Sequence, residues 1–202
     1  MESHLARLPP ADAALERTRM VGSPVAAGLI DVVFRLEAER PTPVVERRLE
    51  HAIDGLYTFG GADGPRQIEV RGIADRIDLL ADGTFRVFDY KSGRPGSMLQ
   101  LAVYAVCVRQ KLRGYRGRDW QLAEAAYISF RGDRTVVPLT PGREDADAAL
   151  ADAERQVVEI ANAIAAGVFP PRPRTRSLCQ YCAYATVCRK DYVDADDAAP
   201  AV

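Results

Sequence analysis

Asp75, Asp89 and Lys91 are the residues whose types and spacing could do chemistry. Asp89 and Lys91 lie in "FRVFDYKSG" (85–93), a run of β-branched and aromatic residues bounded by "ADG" and "SGRPG", which predicts a strand. Residues two apart on a strand share a face, so a carboxylate and an ammonium emerge side by side. Asp75, in "GIADRID", falls on the preceding predicted strand, across the turn "ADGT" (81–84). Adjacent strands ending in these residues bring two carboxylates close together. Two such anions repel unless a cation lies between them, and hard oxygen ligands suit Mg²⁺ or Mn²⁺. With the backbone carbonyl of Tyr90 added, the expected metal ligands are Asp75, Asp89 and Tyr90. Lys91 would orient a water or stabilise charge on an attacked phosphate. A surface hairpin laced with salt bridges competes with this reading for Asp75 alone, and the three residues together favour the metal site. Asp78 has an odd offset from Asp75 and is expected on the other face. Glu69 shares the parity of Asp75, unless a bulge at Gly72 breaks the register.

The elements that must position these residues follow from periodicity and punctuation. Helical apolar spacing covers 24–39 and 43–56, separated by "RPTP", which cannot sit inside a helix. "YTFGGADGP" is predicted as a loop, and residues 66–93 as three short strands. A helix is expected over 96–112 with its N-cap at Ser97, then a hairpin around "RGD". A long amphipathic helix over 143–167 has an acidic start and stops at Gly167. The expected class is α/β, a central mixed sheet flanked by helices. The domain reading is an N-terminal segment 1–20, a core 21–170, a cysteine segment 171–192 and a frayed tail 193–202.

At 202 residues, 48% hydrophobic and 27% charged, the chain can bury a core as one domain. No apolar run is long enough to span a bilayer, and the first twenty residues lack the apolar stretch of a signal peptide, so a cytoplasmic location is expected. Net charge is −1, so global basicity does not advertise nucleic acid. The basic residues are nevertheless nearly all Arg, with Lys only at 91, 111 and 190. Arg offers a planar fork suited to phosphate, though heavy Arg usage can also follow genome composition.

Cys179, Cys182 and Cys188 form a C-x2-C-x5-C run, while Cys107 stands apart in "YAVCVRQ". In a cytoplasmic chain this spacing points to metal or redox chemistry before disulfides.

Taken in order, "GIADRID…FRVFDYKSG…QLAVY" resembles the core of the PD-(D/E)XK nucleases, specifically RecB/AddB-like exonucleases and their CRISPR-associated relatives. The resemblance covers roughly residues 22 to 190 and implies a restriction-endonuclease-like PD-(D/E)XK core. Gly72–Asp75 matches the family's G-x-x-D strand, Asp89–Lys91 its D-x-K strand, and Gln100 with Tyr104 its Q-x-x-x-Y helix. At i, i+4 spacing Gln100 and Tyr104 share a helical face, where they could touch DNA or Lys91. The implied activity is a Mg²⁺- or Mn²⁺-dependent DNA exonuclease acting on single strands or ends in repair or recombination. Its catalytic residues would be Asp75, Asp89, Lys91, Gln100 and Tyr104. A catalytically silent DNA-binding or scaffolding module, or a subunit of a helicase–nuclease, are the alternatives. A CRISPR-adaptation partner also fits the resemblance.

The resemblance further implies that Cys179, Cys182 and Cys188 hold a [4Fe–4S] cluster, with a fourth cysteine from the N-terminal side of the family's fold. No cysteine precedes Cys107, which leaves Cys107 as the fourth candidate, against its reading as a small buried hydrophobe. Zinc could substitute at the thiols. The family's G-[ST]-x-x-H helix aligns with Gly22 and Ser23 and puts Ala26 where a histidine ligand stands. Water filling that position, an engineered loss, a degenerate nuclease and a slipped alignment all remain open.

DNA contacts must be local in a chain of neutral balance. The expected patches are "RQKLRGYRGR" (109–118), with Arg116 and Arg118, and "RPRTR" (172–176), with Arg172, Arg174 and Arg176. Contacts of this kind are salt-sensitive and largely sequence-independent.

Overall fold

The structure, a computed structural model, describes residues 5–91, 93, 95, 97–130, 136–140, 145–168 and 176–188. In chain order the elements are α1 (Pro10–Val21), β1 (Gly22–Ser23), β2 (Ala26–Ala27), α2 (Leu29–Ala38), β3 (Val44–Ala52), β4 (Gly55–Gly61), β5 (Gly64–Val70), β6 (Ile73–Leu80), β7 (Thr84–Lys91), α3 (Leu99–Lys111), β8 (Gln121–Ser129), β9 (Val136–Pro138) and α4 (Ala146–Ala165). Five strands form one mixed sheet in the order β3-β6-β7-β8-β9. Only the β7–β8 pair is parallel, and α3 makes the crossover between them.

The sheet has two unlike faces because successive side chains alternate. Ile77, Leu79, Phe85, Val87, Ala125 and Tyr127 point to the main core. There α3 supplies Leu101, Ala105 and Val108, and α4 supplies Leu150 and Val158. Phe88, Ala126 and Ile128 point the other way into a small cluster that meets Leu36 of α2. The rest of that second face is ionic. Asp78 is fully buried and takes hydrogen bonds from Arg76 and Arg47, both of which also bind Glu37 of α2. Arg40, one turn further along the chain, pairs with Glu124 of β8 at 3.1 Å, and the guanidiniums of Arg40 and Arg76 lie 4.8 and 5.0 Å from the centroid of the Phe88 ring. A buried carboxylate with two Arg partners is satisfied, where an unpaired one would be very costly.

Two local expectations are corrected. Residues 43–56 are not helical: Val44–Ala52 is the edge strand β3, in register with β6 from Val44↔Leu80 to Ala52↔Ile73. Its apolar spacing suits a helix, but Arg47 opposite Asp78 and Arg48 over the Tyr115 ring gain more from the sheet. Nor is 57–65 a loop. It forms most of the β4–β5 hairpin, in which Tyr57 and Phe59 are buried. The glycines hid this strand, and one of them is required by packing, because a Cβ at Gly61 would lie 2.6 Å from Val158. Around the site the expectations are closer. α3 begins at Leu99 with Met98 rather than Ser97 as its N-cap, the Ser97 Oγ instead accepting the Leu99 N–H at 3.2 Å, and α4 runs into Gly167 at φ +68°. The tip of the predicted RGD hairpin lies outside the described residues, while its arms pair as β8 and β9.

Candidate active site

The β6–β7 ladder runs Leu79↔Phe85, Ile77↔Val87, Arg76↔Phe88, and Asp75 and Asp89 are the next residues beyond its last pair. Both residues have the parity of the core face, so their side chains leave the same side of the sheet. Here the strands begin to separate. Asp75 Oδ2 accepts the backbone N–H of Tyr90 at 2.7 Å, and the half-buried carboxylate closes the end of the ladder. Asp89 is only 4% exposed. Its Oδ2 lies 2.7 Å from Lys91 Nζ, an ion-pair distance, but at an angle that leaves this buried oxygen without a hydrogen bond.

Lys91 is held from three directions. Asp89 lies along its own strand, Gln100 Oε1 reaches it at 3.2 Å from the first turn of α3, and the Tyr127 ring centroid is 5.2 Å away on β8. Gln100 Nε2 donates to Tyr104 Oη at 3.3 Å, as i, i+4 neighbours on one helical face. Tyr104 in turn packs on Gly72, where an added Cβ would lie 3.0 Å from the phenol oxygen. Burial alone would lower the Lys91 pKa, but the adjacent Asp89 carboxylate outweighs it and holds the ammonium above its ordinary range. Lys91 is therefore a cation at neutral pH.

The sequence-expected residues Asp75, Asp89, Tyr90, Lys91, Gln100 and Tyr104 thus converge at one end of β6, β7 and α3. Tyr127 was missed. Its signal existed as a strand tyrosine, but only the parallel β7–β8 register, Asp89↔Tyr127, shows that it neighbours the site. Glu69 belongs elsewhere, exposed on β5 and paired with Arg71.

The oxygen donors fit a divalent cation. Two carboxylates and the Tyr90 carbonyl are hard ligands, and the buried Asp89 Oδ2 has the Lys91 ammonium beside it but no hydrogen bond of good geometry. Among the described residues, no three His, Cys, Asp or Glu side chains gather closely enough to hold a metal, so the carboxylate set stops at two. Ala26, aligned with the family histidine, sits exposed on the two-residue strand β2 before α2 rather than on a helix.

Among the described residues no cysteine group gathers closely enough to hold a cluster. Cys179, Cys182 and Cys188 are free thiols that do not gather, and Cys107 corrects its own expectation: it is 0% exposed in the main core, with burial pushing its thiol up to about 12. A neutral thiol in an apolar core is no ligand.

Arg116 and Arg118 lie at the opposite end of the sheet. Arg116 pairs with Glu46 at 2.7 Å, and Arg118 stands over Trp120, near Gly83 at the start of β7. Eight strand residues, about 23 Å, separate that end from Lys91. Arg172 and Arg174 lie outside the described residues, as does the side chain of Arg176.

Comparison with known proteins gives the family. A family model described as the PD-(D/E)XK nuclease superfamily matches residues 5–189, and the chain belongs to that superfamily. No curated protein matches the chain. A solved structure described as "Crystal structure of SSO0001" is 17% identical, covering 93% of this chain and 91% of that one, with a TM-score of 0.30. Among the described residues no helix is long and apolar enough to cross a membrane.

Proposed function

We propose that this chain is a Mg²⁺- or Mn²⁺-dependent exonuclease that hydrolyses phosphodiester bonds at single-stranded DNA ends, serving repair or recombination. The observation that carries the reading is the convergence of Asp75, Asp89 and Lys91 on one face, with Asp89 Oδ2 left unsatisfied. Asp75, Asp89 and the Tyr90 carbonyl would hold the divalent ion, which supplies Lewis acidity at the phosphate when bound. Hydrolysis needs water to attack phosphorus while the bond to the leaving sugar oxygen breaks and that oxygen gains a proton. The Lys91 ammonium, fixed by Gln100, is placed to orient the water or to stabilise the negative charge that grows on the phosphoryl oxygens. Tyr104 supports Gln100 and presents a phenol beside it.

The test is degradation of end-labelled single-stranded DNA with Mn²⁺, comparing wild type with Asp89→Ala and Lys91→Ala. Loss in both variants supports the site, and undiminished cleavage sinks it. Resistance of circular single strands distinguishes an exonuclease from an endonuclease. A second reading, a silent DNA-binding module, is favoured by the stop at two carboxylates and by the alanine at position 26. DNA binding without any wild-type cleavage would establish it.

A further inference from the structure

A lysine on a four-carbon stem loses much rotamer freedom when it is fixed in one place. Lys91 is 31% exposed, so burial alone does not confine it. Its contacts to Asp89 and Gln100 are charged or hydrogen-bonding. The Tyr127 ring adds a third contact, with its centroid 5.2 Å from Nζ. Tyr127 is itself buried and hydrogen-bonded. It is 1% exposed, flanked by Asp89 in the parallel ladder, and its hydroxyl donates to the Ser97 carbonyl at 2.8 Å. Ser97 lies three residues before Gln100, and its Oγ accepts the N–H of Leu99, the first residue of α3. One tyrosine thus touches both the ammonium and the backbone that aims the ammonium's amide partner.

We infer that Tyr127 is the positioning residue of this site: its ring face fixes where the Lys91 ammonium stands, and its hydroxyl sets the start of α3 so that Gln100 meets it. The face of an aromatic ring attracts a cation, and a shielded site strengthens that attraction. This inference rests on the nuclease reading for what Lys91 does, but not for where it stands. A purely core tyrosine would affect stability and leave the position of Lys91 alone.

The experiment uses the full chain labelled with [¹³C]lysine, which carries three lysines, with Lys91 assigned from Lys91→Arg. The Lys91 side-chain protons should resonate upfield of those of Lys111 and Lys190 through the Tyr127 ring current. That displacement should persist in Tyr127→Phe and vanish in Tyr127→Leu. If Tyr127→Leu does not fold, Tyr127→Met carries the same comparison. In DNA hydrolysis, Tyr127→Leu should lose about tenfold in kcat with KM little changed, and Tyr127→Phe, which keeps the ring but not the bond to Ser97, should recover only part of the loss. An unshifted Lys91 resonance in wild type, or a shift that survives Tyr127→Leu, overturns the inference. So does a Leu variant that loses the shift but keeps full kcat. If the wild-type protein cleaves nothing, the nuclease reading falls, and the resonance alone decides the placement.

Discussion

Asp75 Oδ2 takes the backbone N–H of Tyr90 at 2.7 Å, between the two residues, Asp89 and Lys91, with which it shares a face. A side chain here stands in for the ladder bond that the diverging strands no longer make, and the strand ends stay together without a tight turn. The carboxylate's other oxygen is the one the proposed metal would use.

This double duty separates two substitutions. Asp75→Asn keeps an oxygen for the Tyr90 N–H, so thermal stability should change by less than about 1 kcal/mol while Mn²⁺-dependent cleavage collapses. Asp75→Ala should lose both, and calorimetry beside a nuclease assay tells them apart.

Gly72 should not tolerate a methyl group. A Cβ there meets Tyr104 Oη at 3.0 Å and two ring carbons at 3.3 Å. Gly72→Ala is expected to cost about 1 kcal/mol in denaturant unfolding, and to reduce cleavage further by pushing Tyr104 off Gln100.

The ionic face of the sheet makes a stability prediction. Arg76→Met leaves Asp78 buried with a single partner and should destabilise by about 3 kcal/mol. Replacing Arg76 and Asp78 together by Met and Leu should restore much of the loss. Equal melting temperatures for wild type and Arg76→Met would refute the structural role.

The same face sets an acid limit. Burial would raise the Asp78 pKa, but hydrogen bonds and charge from Arg76 and Arg47 outweigh it and hold it low; Glu37 behaves likewise. Depressed folded values mean that this stabilisation is complete above the ordinary carboxylate range and disappears as pH falls through the lower folded values. Melting temperature should therefore hold near neutrality and drop at acid pH, with a shallower acid limb in the Met/Leu double variant.

Thiol titration checks the cysteines. Cys179, Cys182 and Cys188 are at least partly exposed, while Cys107 is fully buried with its thiol raised to about 12. The native protein should react quickly at three thiols, and at the fourth only on unfolding. Rapid reaction of all four would place Cys107 outside the core.

Most of the site was legible because its residues are local in sequence and their parity is fixed by strand geometry. Asp89 and Lys91 announce one face by being two apart, and Gln100 with Tyr104 announce one helical face by being four apart. Tyr127 was not legible, since no spacing within "LAEAAYISF" says which strand lies beside it or in what register. The β3 strand misled for a related reason. Its residues are chosen by partners across the sheet, Asp78 and Tyr115, which no window along the chain contains. The β4–β5 hairpin was masked by glycines that serve α4, again a distant partner.

Among the described residues neither α1 nor α2 buries a residue completely, and α2 is tied to the sheet by Glu37, by Arg40 just past its end, and by the apolar contact of Leu36. Fastenings made of charge are weakened by ionic strength, whereas greasy ones are not. Concentrated salt should thus release the amino-terminal helices as a unit, speeding amide hydrogen exchange there while the strands behind them remain protected.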